Sequence, residues 1–307
     1  MKTEYYVEED SEIVKCHAPN DLFKLLTGLF ESWYQSDSEL ILNAILGLAF
    51  KLISNFQAEY LALVSTDTTI DLKVFCSWTN SVTGFVGECK EFIQTIHTKT
   101  KFPLEAIESM LSYHGIIKNF AEIGNISFTK LQGLIQADLT EDMLAVRDHK
   151  LFNIEEFFME WPKIIELCTI LQRSYKKKLF NYVFEEFSCL YIQMIIFQAK
   201  SYKTNESATY SKKINDEVAY IKNIFKEFVS KKVFDQVRPK LLAIQEVWSV
   251  DASEIMLHIA TLRLALRSNF DDNCVKTLLR LRSDLTPETK QSVRELLKEK
   301  SGEIKIR

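Results

Sequence analysis

Glycine and proline are scarce in this chain, 8 and 5 among 307 residues. Both interrupt helices, proline by lacking an amide donor and glycine through its backbone freedom. Their shortage suits long helices with short connections, and no alternating apolar and polar strand segment is present. No GxxxxGK[ST] or GxGxxG loop occurs, so no phosphate cradle is readable. The six cysteines, Cys16, Cys76, Cys89, Cys168, Cys189 and Cys274, stand far apart and form no CxxC pair. The N-terminus is acidic (Glu4, Glu8, Glu9, Asp10) and has no signal-peptide pattern, so the expectation is reduced thiols in a cytoplasmic protein. No run reaches the roughly 18 uninterrupted apolar residues of a membrane span. Leu40 to Ile53 comes nearest, interrupted by Asn43 and Lys51, and reads as a buried helix.

What is present is apolar residues at helical spacing, within a composition that is 47% hydrophobic. Asn20 or Asp21 can cap a first helix carrying Leu22, Phe23, Leu26, Leu29, Phe30 and Trp33. A longer helix follows from Glu39, with Leu40, Ile41, Ala44, Ile45, Leu48, Leu52, Ile53 and Phe56 along one row. The next runs from Asp71 to about His97, and its Gly84 and Gly87 would let another helix approach closely. The pattern resumes at Leu104, with Gly124-Asn125 as an expected interruption. Pro162 predicts a kink or a helix start nearby. Leu179 to Ala199 is apolar on nearly every face, the mark of a helix buried on most sides. Residues 203–211 are polar and read as the most exposed loop. The closing stretch has three helix openings, at Asp251-Ala-Ser253-Glu254, Asn269-Phe-Asp271-Asp272 and Thr286-Pro287-Glu288.

Charge is unevenly spread along the chain. Residues 1–160 hold 12 Lys and Arg against 24 Asp and Glu, about −12. Residues 161–307 hold 26 against 18, about +8. The concentrated positive run is Arg173, Lys176, Lys177 and Lys178. Read functionally, it would contact an anionic membrane or an acidic protein surface; read structurally, it is a solvated helix junction. A sequence pI near 5.9 and the lack of a reader motif argue against nucleic acid.

Reactive constellations are wanting. The five histidines (His17, His97, His114, His149, His258) have no HExxH or ExxH spacing, so neither the common helical zinc pattern nor the di-iron one fits. Glu254 and His258 are four apart on one helix and read as a surface pair. Asp271-Asp272 suggests the DDxxD of terpene synthases, but the fifth residue is Val275 and no second acidic motif follows. Cys16 and His17 are adjacent and would not face each other on a helix. No catalytic residue, cofactor, metal or small-molecule substrate is therefore expected, and the chain does not read as an enzyme.

Thr277-Leu278-Leu279-Arg280-Leu281-Arg282-Ser283-Asp284, then Pro287 to Gln291, then Leu296-Leu297, resemble the C-terminal end of the exocyst Sec-six family. Leu241 to Trp248, Asp251 with its following helix, Asn181 to Gln193 and, more loosely, Phe75 to Ile96 resemble it in the same order. The likeness is strongest after about residue 179 and weak before 70. It implies a C-terminal fragment of a longer chain, built as stacked helical bundles within the tether that holds secretory vesicles at the plasma membrane. It also implies other exocyst subunits and SNARE and SNARE-regulatory proteins as partners. A different helical tether, such as a Golgi-to-endoplasmic-reticulum one, or a helical isoprenoid enzyme remain alternatives. The expected architecture is all-α, an elongated rod of stacked antiparallel bundles, with residues 1–150 in one and 151–307 in the other, meeting near 147–153.

Overall fold

The structure, a computed structural model, describes residues 17–33, 39–66, 72–100, 103–147, 154–159 and 170–303. The expectation of an all-α chain holds: the elements are helical and no strand occurs among the described residues. Pro162 and residues 148–153, where a kink and a boundary were expected, lie outside the described residues.

Two compact units form, residues 1–134 with 163–176 and residues 135–162 with 177–307. In the first, α1 (Ala18–Trp33) packs on α2 (Glu39–Thr66) and α3 (Leu72–Thr100), and α4 (Leu104–Tyr113) packs on α2 and α3. Helix α1 starts earlier than its capping signals suggest, so Asn20 and Asp21 lie within its first turn, where an acid such as Asp21 is favoured by the helix dipole. Gly115 takes φ +61° and ends α4, and α5 (Ile116–Arg147) begins at once. Helix α5 then runs unbroken through Gly124-Asn125, correcting the interruption expected there. A Cβ on Gly124 would stand 3.0 Å from the Tyr175 hydroxyl and 3.1 Å from a Val82 methyl. This glycine therefore serves close packing, not a turn. Of the two expected contact glycines, a Cβ on Gly84 would meet Pro19 at 3.6 Å, whereas one on Gly87 would meet nothing within 4 Å.

Helix α2 also departs from the expectation. It buries Leu46, Ala49, Phe50, Ile53, Tyr60 and Val64 and leaves Leu40 (81% exposed) and Leu48 in solvent. Apolar residues ring the first half of this helix, so spacing alone selects no face. By length and composition Leu40–Ser65 would suffice to cross a membrane, and a third of its most apolar window is buried.

The second unit contains the 135–147 end of α5, α6 (Ile154–Met159) and residues 177–198 of α7 (Arg173–Gln198). It continues with α8 (Ser207–Phe225), α9 (Lys231–Glu246), α10 (Ile255–Leu266), α11 (Asp272–Arg280) and α12 (Pro287–Glu303). Helix α8 packs on α6 and α9, α9 on α10, and α11 on α12. Leu179, Val183, Phe184, Phe187, Tyr191, Ile192 and Ile195 of α7 are buried, as its composition requires. Residues 203–211 are not one exposed loop. A short 3-10 turn at Thr204–Glu206 leads into α8, and Tyr210 is fully buried, its hydroxyl donating to the Ile195 carbonyl.

The closing helices start largely as their signals direct. The Asp271 carboxylate accepts from the Cys274 amide at 2.9 Å and caps α11. The Thr286 hydroxyl accepts from the Thr289 amide at 3.2 Å, one residue before Pro287 opens α12. The signal at Asp251 fails: residues 252–254 form a turn, and α10 begins at Ile255 behind Glu254, whose side chain makes no cap bond.

Candidate interaction surface

The basic run occupies the first turns of α7. Arg173, Lys177 and Lys178 are exposed and Lys176 is half-buried. This turn carries no acid. Cations at a helix N-terminus oppose the helix dipole, so local helix energetics do not favour the run.

The other residues that stood out in the sequence take structural roles. Asp271 is the cap just described, and its carboxyl is held below the ordinary range chiefly by the hydrogen bond from Cys274. The expected Glu254–His258 side-chain pair does not form the contact. The His258 ring faces Glu246 instead, 3.8 Å away. Burial pushes the Cys89 thiol up to about 11, which suits a packed side chain and not a nucleophile. Among the described residues, no group of three His, Cys, Asp or Glu is placed to hold a metal.

Two buried polar clusters were not visible in the sequence. In the first unit, Asn80 is fully buried on α3. Its amide donates to the Ile170 carbonyl at 2.8 Å, and its oxygen accepts from the Gln172 amide at 2.9 Å. It thus fixes the chain just before α7. In the second unit, the Tyr191 hydroxyl donates to Glu217 at 2.8 Å, and Lys213 lies 3.6 Å from the same carboxylate. Burial raises the Glu217 carboxyl above its ordinary range, against the pull of Lys213. Lys213 stands four residues from Glu217 on the same helix, but Tyr191, Ile170 and Gln172 come from segments 26 to 92 positions away, and isolated Asn and Glu residues carry no sequence mark of such partners.

Clefts and apolar patches complete the surface. A groove of about 310 Å³ is lined by Met143, Leu190, Met194, Phe197, Lys200 and Cys274. A second, more polar cleft of about 420 Å³ is lined by Glu155, Lys212, Lys213, Asp216, Glu217 and Tyr220. Leu257 and Leu264, seven apart on α10, are 69% and 72% exposed, while Ile255, Ile259 and Leu262 of the same helix are buried.

No family model matches the chain, and no curated protein matches it in sequence. Among solved structures, it is similar to one described as "Crystal structure of M-Sec". The two are 12% identical with a TM-score of 0.49, over 92% of this chain and 54% of that one. The chain therefore spans about half the length of that protein.

Proposed function

We propose that this chain is a non-catalytic helical subunit of the exocyst, binding other subunits and SNARE-related proteins while a secretory vesicle is held at the plasma membrane. The observation that carries this reading is the order of sequence motifs from Asn181 to Leu297 that resemble the Sec-six family. These motifs pack within one unit. Trp248 donates its indole N–H to the Leu278 carbonyl at 3.1 Å, and Arg282 donates to the Val247 carbonyl at 3.0 Å. Leu278, Leu279 and Leu281 are buried. A protein working through broad helical faces needs a stable, well-packed body more than a reaction centre.

Affinity capture of the tagged chain from lysate tests the reading. Recovery of exocyst subunits is expected. Recovery of Golgi tether subunits without exocyst subunits would sink it in favour of the other tethering class. Strong thermal stabilisation by magnesium or zinc would instead point to a metal-dependent enzyme.

A further inference from the structure

The second unit brings together two lysine clusters that lie about fifty residues apart in sequence. The turn between α8 and α9 reads Lys226-Glu227-Phe228-Val229-Ser230-Lys231-Lys232. Lys226, Lys231 and Lys232 are exposed, and so is Phe228, at 47%. The Phe228 ring stacks on Phe180 of α7, centroids 4.8 Å apart. The Ser230 amide donates to the Asn181 side-chain oxygen at 2.8 Å. Lys177 and Lys178 sit one helical turn before Phe180 and Asn181, and residues three apart on a helix are surface neighbours. Both are exposed. Five exposed lysines thus lie on the two segments that meet at this half-exposed aromatic ring, with Glu227 in the same turn and Asp235 one turn into α9.

The turn is anchored rather than loose. The Phe228 and Val229 amides both donate to the Phe225 carbonyl at 3.1 Å, and Val229 is buried beneath. The exposure of Phe228 is therefore held in place by its neighbours.

We infer that this turn, with Lys177 and Lys178, docks on an anionic phospholipid surface. A bilayer interface offers phosphates at one depth and an apolar boundary slightly deeper. Lysines reach the former while an aromatic ring enters the latter. An acidic protein surface would satisfy the lysines but gives no reason for an apolar tip among them. The inference does not depend on the exocyst reading.

Cosedimentation of the intact chain with phosphatidylcholine vesicles, with and without phosphatidylserine, tests it. Binding is expected only with phosphatidylserine and should weaken as salt rises. The Lys231→Glu, Lys232→Glu double variant should bind about tenfold more weakly or worse. It places acid in the first turn of α9, which the helix dipole favours, so its loss of binding would not come from unfolding. Phe228→Ser should weaken binding severalfold, and Phe228→Leu should restore it. Equal binding to neutral vesicles, or an unchanged double variant, would overturn the inference. So would a silent Phe228→Ser variant together with tighter binding to soluble polyglutamate, which would identify an acidic polypeptide as the partner. Exocyst capture by the double variant, run alongside, separates this outcome from failure of the tethering reading.

Discussion

Helix α3 of the first unit and the 177–198 stretch of α7 in the second are both enclosed on several sides, but by different chemistry. The α7 stretch buries aromatic and branched side chains, and Phe184 stacks on Phe234 while packing against Phe225. Helix α3 buries Ser77, Thr79, Asn80 and Ser81 among its apolar residues. Thr79 and Ser81 return their hydroxyls to carbonyls four residues back, at 2.7 Å each. Asn80 spends its bonds on another segment. One helix is held by the apolar area it removes from water, and the other gains definition from hydrogen bonds that would be costly to leave unmade.

That contrast orders the effects of substitution. Phe184→Ala should lower stability most, by about 3–5 kcal/mol, and Leu278→Ala by about 2–5 kcal/mol, read from denaturant midpoints. Asn80→Ala should cost less, about 1–3 kcal/mol, because it strands the Ile170 carbonyl and the Gln172 amide without leaving a large void. If Asn80→Ala cost as much as Phe184→Ala, the two helices would not differ as described. Gly124→Ala should cost about 1–3 kcal/mol by crowding Val82 and the Tyr175 hydroxyl; a neutral result would show that α3 and α5 have room to separate. At the small end, Leu257→Ala should change stability by less than about 0.5 kcal/mol, since its side chain is already in water.

Glu217 gives a pH test of the second unit. Its folded pKa lies above the ordinary 4.5, so the native state holds the proton more tightly than the unfolded chain. Its contribution to stability is therefore fully present below the ordinary value and is lost as pH rises through the raised one. The melting temperature of the native protein minus that of Glu217→Gln should fall over that interval. A difference that stays flat or grows with pH would mean that Lys213 outweighs burial.

The charge asymmetry changes meaning once the units are known. Along the chain it divides near residue 160, but the acidic segment 135–162 belongs with the basic later residues. Counted by unit, residues 135–162 with 177–307 hold 25 Lys and Arg against 24 Asp and Glu, about +1. The other unit holds 13 against 18, about −5. The separation of opposite charge is thus smaller between units than between halves of the sequence. What persists is local, as around Phe228.

The sequence alone determined the helical class, because scarce glycine and proline and period-3.6 apolar spacing act within a few residues. It likewise placed the caps at Asp271 and Thr286, whose partners lie three residues ahead. It marked the enclosed α7 because that helix is apolar around most of its circumference. Only the tertiary structure chose the buried face of α2, where residues on competing faces are equally apolar. Tertiary contacts also explain Gly124, whose role depends on Val82 and Tyr175 coming close. The same holds for the basic run, read from sequence as Arg173 and Lys176 to Lys178. Folding sets Lys177 and Lys178 beside Phe228 and a second lysine cluster through one ring stack and one hydrogen bond. Such juxtapositions depend on contacts between distant segments, to which local periodicity is blind.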